Sequence, residues 1–452
     1  MTILEAAAAL RKRTVSSVEL TESALQNAHD LNPKFNAFIT VLDDAAREQA
    51  KAMDAELSRR LDRGPLHGVP VAIKDVFETR GVRTTCGSAI FRNHVSQRDA
   101  AVVEKLAAAG AVIIGKTGMH ELAYGVTSNN PHFGPVRNPR DPERIPGGSS
   151  GGSGAAVAAG IAFMAMGSDT GGSIRLPAAF CGTVGLKPTS GRVSRYGVMP
   201  LDFSLDHMGP LTRTARDAAV TLQAIAGFDP RDETSSRQPV ADYLPPADAS
   251  IRGVRIGLPE NFYFDRLDPD VNGAVRRKAQ VAESLGAHVI PVRVPDIGAI
   301  NAVSRVILLA EASALMEKYL DKRDQFGADV LALLDQGRLI PATDYVNAQR
   351  LRRMMQRDFA QLWRRVDCLF TPTAPMAAPR IGETTVQVGD QTEDTRLAAT
   401  RLVRGINVLG LPALSVPCGV DRRGLPLSLQ IIGRSFQEAL VLRIAAALED
   451  AG

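Results

Sequence analysis

Three segments of the chain place lysine, serine and glycine where they could act on a substrate. Residues 147–154 read GGSSGGSG, residues 167–173 read GSDTGGS, and Lys74 lies in the apolar segment VPVAIKDVF. A serine hydroxyl becomes a good nucleophile when a base takes its proton, and a neutral lysine can be that base. Burial favours the neutral form of lysine. A strand around Lys74 would bury it, although a lysine at a strand end can also extend to solvent.

A histidine-dependent alternative uses part of the same glycine- and serine-rich segment. Residues 147–151 match G-x-S-x-G, the turn that presents the nucleophile of α/β-hydrolases, which also need an acid and a histidine later in the chain. His207 and His288 are the downstream histidines. His288 lies in LGAHVI, where a residue beside a strand is expected, so His207 is the candidate base for this alternative.

Three other sequence patterns of known functional sites are incomplete here or lack the surrounding residues that they need. Residues 110–117 read GAVIIGKT and match the phosphate-binding pattern G-x-x-x-x-G-K-T, but four residues that prefer a strand occupy its middle. His120 is followed by glutamate but has no second histidine four residues on, so the zinc-peptidase pattern is absent. The chain contains no Ser-x-x-Lys, which excludes the β-lactamase arrangement. We expect neither a metal nor a cofactor.

Helical and strand-like segments alternate along most of the chain. Residues 100–116 predict a helix that stops at Gly110, followed by a strand from Ala111 to Ile114, and residues 147–154 lead into a small-residue helix. Strand-like segments return at CLFTPTAP and LSVPCG. This pattern predicts an α/β layered fold with a largely parallel interior sheet. The glycine- and serine-rich segment lies inside that core, which argues against a flexible linker.

Composition excludes several classes of protein. The 452 residues are 45% hydrophobic with a net charge of +4, and there is no basic stripe of the kind that binds nucleic acid. No apolar run approaches the ~20 residues that span a bilayer, and the N-terminus lacks the charge order of a secretory signal. The four cysteines are far apart in sequence, which favours a reducing compartment. We therefore expect a cytoplasmic protein that binds neither membrane nor nucleic acid.

The motifs together resemble those of the amidase signature family of serine hydrolases. The likeness is carried by GVPVAIKDVF, GGSSGGS and GSDTGGSIRLPA, with 75 residues from Lys74 to Ser149 and 24 from Ser149 to Ser173. It is dense over residues 60–220, returns in FTPTAP and INVLGLPALSVPCG, and is thin over residues 230–360.

The resemblance implies a Ser–Ser–Lys triad. Ser173 would be the nucleophile that forms an acyl-enzyme, and Ser149 would relay its proton to neutral Lys74. The peptide bond between Gly148 and Ser149 is expected to be cis. Asp169 and Arg175 are expected to pair and hold the turn. Four consecutive backbone amides would stabilise the oxyanion, namely those of Thr170, Gly171, Gly172 and Ser173.

The resemblance also implies the fold. One α/β/α domain would span residues 1–452, built on a mixed, mostly parallel central sheet. Its expected parts are a helical N-terminal part, a catalytic core, a variable helical region and a returning core, over residues 1–60, 61–220, 230–360 and 365–448.

The implied reaction is hydrolysis of a carbon–nitrogen acyl bond in a small amide or aryl amide, with esters and carbamates (urethanes) as further candidates. The enzyme would be a monomer or homo-oligomer. Ala123, Tyr124 and Gly125 would line the substrate pocket. No arginine clamp is readable in HELAYGVTSNN, so an uncharged, partly apolar substrate is expected.

Two alternatives remain open. One is the A subunit of a tRNA-dependent glutamine amidotransferase, which liberates ammonia and works with partner subunits. Its GTYALS…YY segment is replaced here by LLDQGRLIPATDYVNAQRLRR, which is more like stand-alone amidases. The other is a non-catalytic binding or scaffold protein, although all three triad residues are present.

Overall fold

A central sheet of 11 strands runs through the computed structural model, which describes residues 1–452. The strands, in chain order, are β1 (Phe38–Val41), β2 (Pro70–Lys74), β3 (Val112–Thr117), β4 (Asn129–Asn130), β5 (Gly134–Pro135), β6 (Met164–Asp169), β7 (Val184–Lys187), β8 (His207–Thr212), β9 (Arg255–Pro259), β10 (His288–Val292), β11 (Cys368–Pro372), β12 (Thr385–Val388), β13 (Gln391–Asp394), β14 (Ala413–Val420) and β15 (Pro426–Gly433). Strands β4 with β5 and β12 with β13 form two separate hairpin-like pairs.

The helices surround this sheet. In chain order they are α1 (Ile3–Arg11), α2 (Ser17–Phe35), α3 (Asp43–Ser58), α4 (Ala101–Ala108), α5 (Gly151–Ala158), α6 (Arg175–Cys181), α7 (Ala215–Ile225), α8 (Pro269–Ser284), α9 (Ile297–Met316), α10 (Ala328–Gly337), α11 (Ala342–Ala360), α12 (Thr395–Thr400), α13 (Arg404–Leu409) and α14 (Glu438–Asp450).

The sheet is mixed. Its order is β1-β3-β2-β6-β8-β7-β14-β15-β11-β9-β10. Parallel pairing is found in two blocks, β3-β2-β6 and β11-β9-β10, which give four of the ten strand pairs. The other six pairs are antiparallel. The predicted single domain with a mixed sheet is thus confirmed. The sheet has more antiparallel pairs than the alternation of helices and strands suggested. The sequence could not show this, because an apolar strand pattern does not encode strand direction.

Helices cover both faces of the sheet. In β2, Val71 and Ile73 belong to the larger apolar core, whereas Ala72 between them belongs to a second core on the opposite face. This alternation follows from the period of two along a strand. Helices α2, α3 and α5 contribute side chains to the second core, and α4, α7 and α14 contribute to the first.

Several local predictions can be compared with these elements. The predicted strand from Ala111 is β3, so the GKT of residues 115–117 lies within or directly at the end of a buried strand and cannot wrap a phosphate. The linker interpretation of residues 147–154 is wrong, because every residue from Gly147 to Val157 is buried. The N-terminal part contains β1 between its helices, and the variable region adds β9 and β10 to the sheet edge.

Helix α9 corrects the expectation that no apolar segment is long enough to span a bilayer. The stretch Ile297–Tyr319 is long and apolar enough to cross a membrane by those two criteria, and 50% of its most apolar window is buried. Its side chains Ile300, Val303 and Ile307 belong to the larger core, and α9 packs against α10, α11 and α13. These contacts are typical of a core helix.

Candidate active site

The three chemistry-bearing segments meet at one edge of the sheet. Lys74 is the last residue of β2, and β6, its parallel neighbour, ends at Asp169. The carboxyl ends of parallel strands share an edge, where α/β proteins commonly bind ligands. Ser149 and Ser150 directly precede α5, which packs against both strands. The fold therefore brings together residues that are 75 and 24 positions apart in sequence.

Lys74 is fully buried and has only hydroxyl partners. Its Nζ lies 2.7 Å from Oγ of Ser149 and 2.7 Å from Oγ of Ser168. Burial lowers the pKa of Lys74 to about 7, against a weaker opposing effect of Asp206 and Asp169. A substantial fraction of this lysine is therefore neutral at neutral pH and can accept a proton.

Ser173 lies in the turn between β6 and α6. Its side chain reaches the surface of the site, since the residue is 7% exposed, and its hydroxyl makes no hydrogen bond within the protein. The backbone N–H of Ser150 donates to the carbonyl of Ser173 at 3.2 Å, which ties the two turns together. No hydrogen bond joins Oγ of Ser149 to Oγ of Ser173 in this structure. Ser149 thus contacts Lys74 directly, and Ser173 is held next to it through the backbone.

The backbone before Ser149 has no room for a side chain. The peptide bond between Gly148 and Ser149 is cis. A Cβ on Gly148 would stand 2.7 Å from the carbonyl carbon of Val126, closer than real Cβ contacts allow. Glycine at position 148 therefore supports the site by permitting close approach of two backbone segments.

The turn from Thr170 to Ser173 offers backbone donors, with one exception. The amides of Thr170, Gly171 and Ser173 donate to no acceptor in the protein, whereas the amide of Gly172 donates to Oδ1 of Asp169 at 2.8 Å. Gly172 is therefore not a free donor, contrary to the sequence-based expectation. Its φ of +120° and the 2.4 Å that would separate its Cβ from Cγ2 of Val403 require glycine there all the same.

Asp169 and Arg175 form a fully buried, two-pronged ion pair. The guanidinium Nη2 lies 2.9 Å from Oδ1 of Asp169 and Nε lies 3.0 Å from Oδ2. Burial alone would raise the pKa of Asp169, but the Arg175 charge and its hydrogen bonds outweigh this and hold that pKa well below its ordinary value. Asn407 also donates to Asp169, at 2.9 Å. The charged carboxylate can then fix the Gly172 amide and the shape of the turn.

The histidine-dependent alternative fails on geometry. His207 is buried, and its Nδ1 lies 2.6 Å from the carbonyl oxygen of Leu205 and 3.4 Å from Nδ2 of Asn407. It makes no hydrogen bond to Ser149 or Ser173. Burial holds the pKa of His207 well below its ordinary value. No serine in this site therefore has a histidine base.

Ser168 is a site residue that the sequence analysis missed. Its hydroxyl is the second partner of Lys74, while its carbonyl accepts a hydrogen bond from the Ser150 hydroxyl at 3.1 Å. The only feature of the sequence that could have indicated Ser168 was its position near the end of an apolar strand, next to the motif of Ser173. That signal was weak because the pairing of β2 with β6 was not known. Ser150 itself supports the end of β6 and does not touch Lys74.

Of the three predicted pocket residues, only Tyr124 lines a cavity beside the turn of residues 170–173, here called the catalytic turn. Ala123 is buried, and Gly125 packs against His120, whose Nε2 would stand 2.1 Å from a Cβ at position 125. The cavity measures about 230 Å³. Its wall contains four leucines and three arginines, the latter being Arg305, Arg396 and Arg404.

These arginines lie outside the segment HELAYGVTSNN, in which no arginine clamp is readable. They belong to α9, α12 and α13, far in sequence from residues 120–130, so the motif around Tyr124 could not reveal them. Arg404 adjoins the catalytic turn, because its Cγ lies 3.8 Å from where a Cβ on Gly171 would stand. No group of three or more His, Cys, Asp or Glu side chains is placed to hold a metal ion.

Comparisons with known proteins agree with this fold. The amidase family model matches residues 19–442. An amidase from Pseudomonas putida is 45% identical over 455 residues, spanning 100% of this chain and 96% of that protein. The A subunit of a glutamyl-tRNA(Gln) amidotransferase from Anaeromyxobacter dehalogenans (strain 2CP-C) is 43% identical over 471 residues, spanning 98% of this chain and 95% of the relative.

A solved structure gives the same result at the level of the fold. It is described as a vestigial protein complex that reveals the evolutionary origins of an s-triazine catabolic enzyme. It superposes with a TM-score of 0.96 at 36% identity, covering 100% of this chain and 99% of its own. The chain therefore belongs to the amidase family, the amidase-signature enzymes, and is a hydrolase of carbon–nitrogen bonds in amides. The family resemblance read from the sequence motifs is confirmed.

Proposed function

We propose that the chain hydrolyses small-molecule amides through an acyl-enzyme, with Ser173 as nucleophile, Ser149 as proton relay and Lys74 as base. The observation that carries the proposal is the fully buried Lys74, whose Nζ has two hydroxyl neighbours at 2.7 Å. An amine in such surroundings is a base at neutral pH, because burial lowers its pKa to about 7.

The acylation step follows from this arrangement. Oγ of Ser173 attacks the amide carbon, its proton passes to Oγ of Ser149, and the proton of Ser149 passes to Nζ of Lys74. The oxyanion then accepts hydrogen bonds from the free amides of the turn, those of Gly171 and Ser173 being available. When the C–N bond breaks, Lys74 returns its proton through Ser149 to the leaving amine.

Deacylation repeats the same proton transfers with water. The water attacks the acyl carbon, loses its proton through Ser149 to Lys74, and Ser173 leaves with a proton returned along the same path. The carboxylic acid is released and the starting protonation states are restored. Aryl amides, esters and carbamates present a carbonyl to the same nucleophile, so we expect them as further substrates.

A second candidate function is that of the A subunit of an amidotransferase, because a protein of that name is 43% identical to this chain. That function would require partner subunits and glutamine. The stand-alone reaction needs a base, a relay and a nucleophile, and this chain supplies a candidate for each. Turnover of simple amides by the purified chain alone supports the stand-alone function, whereas activity confined to glutamine in the presence of partners supports the alternative.

Covalent labelling tests the nucleophile. A fluorophosphonate probe should label the wild type, and Ser173→Ala should abolish both labelling and p-nitroanilide hydrolysis. Ser149→Ala should damage both less completely, because a water molecule can partly replace the relay. The control is Ser415→Ala, which removes another buried, hydrogen-bonded serine outside the site and should label normally.

The assignment of roles is open to contradiction by the same experiment. Normal labelling of Ser173→Ala together with complete loss in Ser149→Ala would make Ser149 the nucleophile. Absence of labelling and hydrolysis in the folded wild type would support the non-catalytic alternative.

A further inference from the structure

The cavity beside the catalytic turn, here called the arginine cavity, is lined by Tyr124, Arg305, Arg396, Arg404 and neighbouring leucines. We propose that it binds a carboxylate carried by the substrate, so that the enzyme prefers amides of acidic molecules to neutral amides. The inference rests on the proposed function and adds the substrate class to it.

The cavity has an excess of unpaired positive charge. None of its three arginines lies in an ion pair, and the one acidic residue in its wall is Asp394, whose carboxylate accepts the N–H of Leu397 at the start of α12. Arg396 has no side-chain hydrogen bond, Arg305 has one, to Gln336 at 3.3 Å, and Arg404 has one, to the hydroxyl of Thr400. Most guanidinium donors in the cavity are therefore free, which is the arrangement that binds a carboxylate.

Tyr124 is an independent indication of a ligand. The residue is 2% exposed, and its hydroxyl has no hydrogen-bond partner. A buried hydroxyl without a partner is unusual in a folded protein. The guanidinium carbon of Arg396 lies 5.5 Å from the centre of the Tyr124 ring, so the hydroxyl and the cation share one wall. A carboxylate in the cavity could accept hydrogen bonds from both groups.

The positive charges of the three arginines also repel one another. Burial, together with repulsion from Arg396 and Arg305, lowers the pKa of Arg404 to about 10. Bound negative charge would offset this repulsion.

The cavity is placed to act on the reacting bond. Helix α13 begins at Arg404, and Val403 before it packs against Gly172 of the catalytic turn. Cγ of Arg404 lies 3.8 Å from the Cβ position of Gly171, and Arg404 also lines the arginine cavity, so the cavity lies beside the turn that carries Ser173. A cavity of about 230 Å³ suits a small acid. The half-amide of a short dicarboxylic acid, such as succinic acid, fits this description.

A matched pair of substrates tests the preference. The mono-p-nitroanilide of succinic acid carries the carboxylate, and butyryl p-nitroanilide is its neutral counterpart. We expect a higher kcat/KM for the acid in the wild type. Arg396→Gln and Arg404→Gln should each lower the acid-to-neutral ratio by about 10- to 100-fold, the strength of a hydrogen bond to a charged group. Arg396→Lys should restore part of the ratio, because it keeps the charge.

The control variant is Arg293→Gln, which removes an exposed arginine without an ion pair outside the cavity and should leave the ratio unchanged. A wild-type preference for the neutral anilide, or a ratio that neither cavity variant changes, would overturn the inference. Hydrolysis of the neutral anilide would leave the proposed function standing in that case.

A binding measurement separates the two proposals fully. In Ser173→Ala, which cannot turn over, succinate should raise the melting temperature, and adding Arg404→Gln should remove that shift. Absence of a succinate-dependent shift would contradict carboxylate binding even if anilides are hydrolysed. A clear shift in a protein that hydrolyses no anilide would support the carboxylate site and contradict the proposed function alone.

Discussion

Two lysines on neighbouring strands, Lys74 of β2 and Lys116 of β3, are both fully buried, and burial lowers the pKa of both. Their partners differ. Nζ of Lys116 lies 2.7 Å from the carbonyl oxygen of Phe77, 2.8 Å from the hydroxyl of Thr84 and 3.3 Å from a carboxylate oxygen of Asp75. Nζ of Lys74 has two serine hydroxyls instead.

This difference shows that burial alone does not make a lysine a base. A carbonyl can only accept a hydrogen bond and a carboxylate attracts a cation, so Lys116, which donates to Phe77 and pairs with Asp75, is suited to remain an ammonium. A hydroxyl can also donate, so a neutral Lys74 can accept the proton of Ser149 through its lone pair. The lysine without a nearby carboxylate is the one placed for proton transfer.

The largest expected effect is on catalysis. Lys74→Met should lower kcat/KM for p-nitroanilides by about 10²- to 10⁴-fold, the usual contribution of a general base. Lys116→Met, the matched control on the next strand, should retain near wild-type activity per folded molecule. The measurement is steady-state kinetics normalised to folded protein. Equal losses in the two variants would mean that Lys74 acts structurally, as Lys116 does.

The free energy of unfolding should change the other way round, with the loss in Lys116→Met and not in Lys74→Met. Oδ1 of Asp75 has no hydrogen-bond partner, and Lys116 is its cation, so Lys116→Met should lower the free energy of unfolding by about 3–5 kcal/mol. Lys74→Met should instead stabilise the fold, because it removes a buried amine that lacks a carboxylate partner. Urea unfolding of the two variants and the wild type measures both changes.

The pH dependence of the Lys74→Met effect has a definite sign. The folded-state pKa of Lys74 is about 7 and its ordinary value is 10.5, so the unfolded chain binds more protons between these values. Wild-type stability should therefore rise with pH across this window. The gain from Lys74→Met should be largest at and below pH 7 and should fade towards pH 10.5. A gain that does not depend on pH would contradict a shifted lysine.

The sequence singled out Lys74, Ser149 and Ser173 through motifs that resemble those of the amidase signature family, and their catalytic roles stay predictions. The structure places Nζ of Lys74 2.7 Å from Oγ of Ser149. Ser168 was missed because its role depends on which strand pairs with β2. The occupied amide of Gly172 could not be foreseen either, since Asp169 bends back to it only in the folded turn.

The arginine cavity was the least predictable part. Its arginines lie on three helices of the chain and meet only through the packing of α9, α12 and α13 around the catalytic turn. Strand direction was similarly hidden, because six of the ten pairs are antiparallel in segments that look alike in sequence. Long-range contacts of this kind leave no local pattern.

The most direct test of a neutral lysine base is the pH dependence of Ser173 labelling. An uncharged fluorophosphonate probe should react with the wild type at a rate that rises with pH, with a midpoint near the Lys74 pKa of about 7. Lys74→Met should give a slow rate without this rise, while Lys116→Met should keep the wild-type profile. The same rise in Lys74→Met, or a wild-type midpoint near the ordinary lysine value of 10.5, would contradict the assignment of Lys74 as the base.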